Sequence, residues 1–159
     1  TGAGARFGEW GGELAGFLDL TGHGNVLGAR VAARFLDGRR GEIPFTEQLA
    51  LGGAETMRGF PAGYLRGDSV FLAELQYRWA IWTFADAELS SALGSAFPVH
   101  FDGLGPGALH WSSGLSLRTT LSRDSSWAVG LAVGSSRLDA ADFDAADHVR
   151  LFAGLNQGF

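Results

Sequence analysis

The sequence predicts an all-β fold, an antiparallel transmembrane β-barrel or a section of one, and three observations carry that reading. Apolar residues recur at every second position wherever the chain has a period, as the pleat of a strand with one apolar face requires. On the seven strands marked out this way, no charge falls on the apolar face, as expected where lysine or arginine at mid-bilayer costs roughly 2–4 kcal/mol. The connections alternate between short and long, the pattern of outer-membrane barrels.

Taken in order, the first strand covers about residues 9–20, with Trp10, Leu14 and Leu18 opposite Glu9, Glu13 and Asp19. Over 25–36 the apolar face reads Leu27, Ala29, Val31, Ala33, Phe35, against Arg30 and Arg34. Over 70–81 it reads Phe71, Ala73, Leu75, Tyr77, Trp79, against Glu74, Gln76 and Arg78. The stretch 83–93 has the weakest period, with Ala85, Ala87, Leu89 and Leu93 on one face and Asp86 and Glu88 on the other. Over 109–121, Leu109, Trp111, Leu115, Leu117 and Leu121 oppose His110, Ser112, Ser116 and Arg118. Trp127, Val129, Leu131 and Val133 follow, alternating with Ala128, Gly130, Ala132 and Gly134. The last strand places Val149, Leu151, Ala153, Leu155 and Phe159 opposite His148, Arg150 and Asn156.

Several of these strands run about 11–13 residues, beyond the usual soluble length of about 5–6 and enough to cross a bilayer when tilted. Aromatic residues stand near their ends (Trp10, Phe35, Phe71, Trp79, Trp127, Phe159), where interfacial girdles sit. Residues 21–24, 80–82 and 122–126 read as short turns, and 37–69, 94–108 and 138–147 as long loops. In a Gram-negative outer membrane the long loops face outward and the turns face the periplasm.

Composition agrees. The chain has 25 Gly, 12 Phe and 5 Trp with only 18% charged residues, a mixture that weakens helices and suits strands. Cysteine is absent, which removes disulfides and thiolate metal ligation. A net charge of −5 argues against a nucleic-acid partner, which needs a basic face. No run of about 18 apolar residues exists, so no transmembrane helix is expected. The chain opens on Thr1-Gly2-Ala3-Gly4 without a signal peptide, as a mature or excised fragment would.

Catalytic and metal motifs are wanting. His23, His100, His110 and His148 show no metal-ligand spacing. Asp139, Asp142, Asp144 and Asp147 read as a solvated acidic loop, since EF-hand spacing is missing. There is no Gly-x-Ser-x-Gly elbow, and the glycine-rich run 103–107 lacks the Lys-Ser/Thr and helix of a phosphate loop. Neither enzymatic activity, metal nor cofactor is expected.

The longest loop contains Leu51-Gly52-Gly53-Ala54-Glu55-Thr56-Met57-Arg58-Gly59-Phe60. Downstream stand Glu74-Leu75-Gln76-Tyr77-Arg78, then Phe84-Ala85-Asp86, and the sequence ends on Phe159. In order and spacing these elements resemble the BamA/TamA/FhaC superfamily of outer-membrane barrels (the bacterial surface antigen family), in the C-terminal half of the barrel, over about residues 45–159. The resemblance implies that the Arg58-Gly59-Phe60 loop folds back into the lumen, with Arg58 reaching Asp86, and Glu74 or Glu88 beside it. It also implies that Phe159, with Leu155 and Leu151, forms a C-terminal assembly signal. Glu88 departs from the family pattern, which has Gly there. Gly52, Gly53 and Gly59 would let the loop bend tightly and approach the wall. Read without the resemblance, Arg58 caps a loop turn, and Asp86 and Glu74 are solvated lumen residues.

What the resemblance implies of function is protein insertion and assembly, or protein translocation. The alternatives are a barrel anchor or pore for an attached or secreted passenger domain, as in two-partner secretion or patatin-like fusions, and a small structural barrel. The partners implied are outer-membrane lipid and a substrate or passenger polypeptide. The periplasmic POTRA repeats that would separate these roles do not occur in this sequence. Seven strands leave an unpaired edge, which lipid does not tolerate. Two readings stay open: residues near 40–51 supply an eighth strand, or the chain is part of a barrel of about 16 completed by another chain or a second copy.

Overall fold

The computed structural model describes residues 7–22, 24–38, 43–122 and 125–157. The strands are β1 (Phe7–Asp19), β2 (Val26–Gly38), β3 (Leu49–Leu51), β4 (Leu65–Gly67), β5 (Ser69–Trp82), β6 (Ala85–Phe97), β7 (His110–Ser122), β8 (Ser125–Arg137) and β9 (His148–Gln157). Seven of them form one sheet in the order β1-β2-β5-β6-β7-β8-β9, antiparallel throughout. The fold is therefore all-β, built from sequential neighbours joined alternately by tight turns and long loops.

Expected strand positions and face assignments hold, with adjusted ends. The turn between β5 and β6 falls at Thr83-Phe84 rather than over 80–82, because a bulge between Ala80 and Trp82 adds a residue to β5. The strand over 127–134 extends in both directions to Ser125–Arg137. β2 likewise runs on to Gly38, and this overturns the charge-free apolar face: Asp37 lies on it by parity with Phe35. Its carboxylate is satisfied at the rim, accepting from Trp10 Nε1 at 2.6 Å and pairing with His100 Nε2 at 2.7 Å.

Nor, among the described residues, does the stretch near 40–51 supply an eighth strand to the sheet. β3 pairs instead with β4 in a separate two-stranded ribbon inside the long loop. Among the described residues the large sheet does not close, since β1 pairs with β2 alone and β9 with β8 alone. β1 leads into a short turn and β9 follows a long loop, so these two outermost strands run in the same direction, from the loop end to the turn end.

The two faces differ in what covers them. On the concave face, Leu36, Val70, Leu72 and Ala92 from β2, β5 and β6 meet Leu49, Leu51, Met57 and Phe60 from the loop, and these eight form the core. Met57 and Phe60 are fully buried, each worth about 1.5–3 kcal/mol in removal from water. The convex face is apolar and bare: Leu14 is 79% exposed, Leu151 81% and Leu115 53%. At its loop end the 98–109 connection folds outward. There Phe101, at φ 61°, donates its backbone N–H to Ser69 Oγ at 3.0 Å. Its ring lies 4.7 Å from Phe35, 6.2 Å from Phe71 and 5.6 Å from Phe97.

Candidate functional site: the loop clamp on the concave face

Glycine geometry starts the loop's inward course. Gly52 and Gly53 take φ of 113° and 92°, the left-handed region that favours glycine. The turn they make is tied by Thr56, whose hydroxyl accepts from Gly52 N at 2.9 Å and donates to Gly52 O at 3.1 Å. It is closed where Gly53 N donates to Phe60 O at 2.9 Å and Phe60 N to Met57 O at 3.0 Å. Gly59 makes the closest approach to the wall. Its N–H donates to Ser112 Oγ of β7 at 2.8 Å, and a Cβ at this position would run into the Val133 carbonyl of β8.

Arg58 is held along its length. Its Nε donates to Ala54 O at 3.1 Å, and its Nη1 lies 2.5 Å from Glu88 Oε1 and 3.3 Å from Ser90 Oγ. The guanidinium also lies 5.9 Å from the centroid of the Phe152 ring of β9. Glu88 is 1% exposed and its other oxygen takes Arg78 Nη2 at 3.0 Å, with Arg118 Nη2 at 3.8 Å. Three guanidiniums, from the loop, β5 and β7, thus converge on one carboxylate of β6. Burying a lone carboxylate costs several kcal/mol, and charge-assisted bonds from several donors offset that cost.

The expected partner of Arg58 was Asp86, with Glu74 or Glu88 beside it, and of these three the structure seats the arginine on Glu88. Asp86 lies on the concave face, opposite Arg118 in the β6–β7 register, but Arg58 is seated on Glu88. The reason is position along the strand. β6 runs from the turn end towards the loop end, so Glu88 stands one inward-facing position nearer the loop from which Arg58 descends. Glu74 is also engaged elsewhere, accepting from Arg30 Nη2 at 2.8 Å and from Gln76 Nε2 at 2.7 Å. Arg30 then reaches back to the loop, donating to Glu55 O at 2.9 Å.

Phe60 completes the clamp. Its ring stacks on Tyr64 at 5.3 Å and lies 5.6 Å from His110 and 5.3 Å from His148. Its carbonyl accepts a hydrogen bond from Arg150 Nη1. Below the clamp, towards the turn end, a cavity of about 440 Å³ is lined by residues including Arg30, Arg58, Glu74, Gln76, Arg78 and Arg118.

Sequence reasoning missed Arg30, Arg78, Arg118, Arg150, Ser112, His110 and His148 as parts of the site. Each sits at an inward-facing position of its strand, so strand parity was a signal that could have found them. Of the expected terminal signal, Leu151 is exposed on the convex face and Leu155 lies opposite Trp127 in register. Phe159 lies outside the described residues, as does His23.

The arrangement is a structural clamp, with a charge pair, hydrogen bonds and ring contacts joining one loop to β2, β6, β7 and β9. No protein-family model matches the chain, and no curated protein matches it.

Proposed function

We propose that this chain is a section of a bacterial outer-membrane β-barrel of the protein-insertion, assembly or translocation type, with no enzymatic activity of its own. The observation that carries the reading is the Arg-Gly-Phe loop folded onto the concave face, with Arg58 seated on Glu88 of the wall. A braced lumenal loop of this kind suits a barrel that handles other polypeptides, where scaffold and opening matter more than catalytic groups.

The membrane part of the reading rests on the convex face. Six strands of 13 or 14 residues are long enough to cross a hydrocarbon core of about 30 Å with tilt. Aromatic rings gather at two levels: Trp10, Phe35, Phe71, Phe101 and Trp111 at the loop end, Tyr77, Trp79 and Trp127 at the turn end. Phe71 and Trp79 lie about 27 Å apart along β5 at about 3.4 Å per residue, comparable to the apolar band of about 25 Å on such barrels. Large apolar side chains left exposed along this face, Leu14, Leu75, Leu115, Leu131 and Leu151 among them, suit contact with lipid better than contact with water.

Further strands would complete the barrel. The two free edges run in the same direction, so antiparallel closure takes an odd number of additional strands, giving the even total usual for single-chain bacterial barrels. A second copy in the same membrane orientation would have to pair parallel at both seams, which favours strands from another stretch of polypeptide over a dimer.

Reconstitution into liposomes tests the function. The expected result is carbonate-resistant membrane association and faster folding of an added urea-unfolded outer-membrane protein than in empty liposomes. Membrane association without acceleration would leave the anchor or passenger-pore reading, and a soluble monodisperse chain in plain buffer would end the membrane reading altogether.

A further inference from the structure

The cavity below the clamp is richer in hydrogen-bond donors than in acceptors. The guanidiniums of Arg30, Arg58, Arg78 and Arg118 all line it, and among the described residues the buried carboxylates of the wall are Glu74 and Glu88. Charge is unevenly divided along it. On the β1–β2 side Arg30 is matched, with Glu74 at 2.8 Å and Glu13 at 3.9 Å. On the β5–β7 side Arg58 takes one oxygen of Glu88, while Arg78 and Arg118 crowd the other at 3.0 Å and 3.8 Å. The longer of these is beyond hydrogen-bond reach, and it is the one ion pair of Arg118 among the described residues. Asp86 opposes Arg118 in the register without pairing with it. Even with Asp86 counted, three cations meet two carboxylates there. Donors are left over as well: Nε of Arg78 and Nε of Arg30 are buried without an acceptor.

We infer that this cavity is a binding site for a compact oxyanion, a phosphate or carboxylate group, held between Arg78 and Arg118. A guanidinium presents a rigid fork of donors matched to a pair of oxygens. The two forks converge, since their Nη2 atoms both lie within 4 Å of a single oxygen of Glu88. Their side chains are 37% and 33% exposed, open enough for a ligand to reach and covered enough to weaken screening by salt. An entering anion displaces only the loosest contact of the cluster, Arg118 to Glu88, and leaves Arg58 on the other oxygen. Size is limited by charge. Glu13 and Glu55 line the same cavity on its far side, and they would repel a polyanion long enough to span it. The inference stands on side chains of this chain and holds whether or not lipid bathes the convex face.

Titration calorimetry tests it, on the chain in whatever medium keeps it folded and at about 0.15 M salt, where exposed charges are screened. Inorganic phosphate is expected to bind saturably. Arg118→Gln weakens that binding about tenfold or more, the scale of losing one charge-assisted hydrogen bond. Arg137→Gln, which removes an exposed pair with Asp139, leaves it as in the native chain. A short uncharged peptide carrying one glutamate is titrated beside phosphate. Whichever binds tighter names the source, a free anion or an acidic side chain of a polypeptide, and either result supports the site. Should Arg118→Gln misfold, the native chain decides alone. Phosphate is then expected to protect Arg78 and Arg118 from an arginine-modifying dicarbonyl reagent while Arg137 stays reactive. Absence of saturable binding by both probes, binding that Arg118→Gln leaves unchanged, or equal protection of Arg137 would overturn the inference.

Discussion

Arg58 and Glu88 lie thirty residues apart and meet at 2.5 Å, and the same carboxylate is the shared counter-charge of Arg78 and Arg118. One acidic side chain therefore holds three basic ones from separate elements. That arrangement is asymmetric: no single arginine is irreplaceable to the glutamate, but the glutamate serves all three.

Glu88→Gln should accordingly destabilise the docked loop more than Arg78→Gln or Arg118→Gln. Removing the buried member of the cluster leaves three guanidiniums facing one another, at a cost of about 3–5 kcal/mol. Limited proteolysis of the 43–68 segment reads the difference. Equal cleavage rates for the three variants would contradict it.

Asp86→Asn should leave the loop in place, with stability changed by no more than about 0.5 kcal/mol. Asp86 and Glu88 share a face of β6, yet Glu88 alone receives Arg58. The same proteolysis assay applies, and a cleavage rate matching that of Glu88→Gln would restore Asp86 as the partner.

Gly59→Ala should push the loop off the wall, because the added methyl meets the Val133 carbonyl with no room between them. Overpacking of this kind costs about 1–3 kcal/mol, and Gly59 N–H would lose its bond to Ser112 as well. Tyr64, which stacks on Phe60, should gain solvent access, measurable by its reactivity towards a tyrosine-modifying reagent. Unchanged reactivity would show that β8 yields instead.

Leu131→Arg, on the convex face of β8, distinguishes lipid from water outside the sheet. Leu131 is 48% exposed, so in a soluble protein the change is close to neutral, within about 0.5 kcal/mol. In a bilayer it costs about 2–4 kcal/mol. Urea titration of the chain folded into liposomes gives the value, and a neutral result would count against the membrane reading.

The strands were legible because their parity is written in the chemistry: Phe71, Ala73, Leu75, Tyr77 and Trp79 fall on one face and Glu74, Gln76 and Arg78 on the other. The inward fold of the loop was legible only through the resemblance of its Arg-Gly-Phe segment. Which carboxylate receives Arg58 was not legible, because Asp86 and Glu88 have the same parity and differ by one pleat, a distance set by how deep the loop descends. The partnership of Arg150 and His148 with Phe60 was hidden for a related reason. Contacts between a loop and a strand about ninety residues away leave no periodic trace in either segment.

On the membrane reading, Phe101 would give the sheet a waterline. The 98–109 connection turns outward and lays its ring among Phe35, Phe71 and Phe97, while one pleat beyond Phe35 the Asp37 carboxylate is occupied by Trp10 and His100. The change from ring to carboxylate takes two residues of β2, about 7 Å at about 3.4 Å each. In a bilayer, sinking by that much would drown a charge in hydrocarbon, and rising by as much would lift the rings out. On the membrane reading, the depth at which the sheet floats would be set at this rim, by a loop that takes no part in the clamp on the other face.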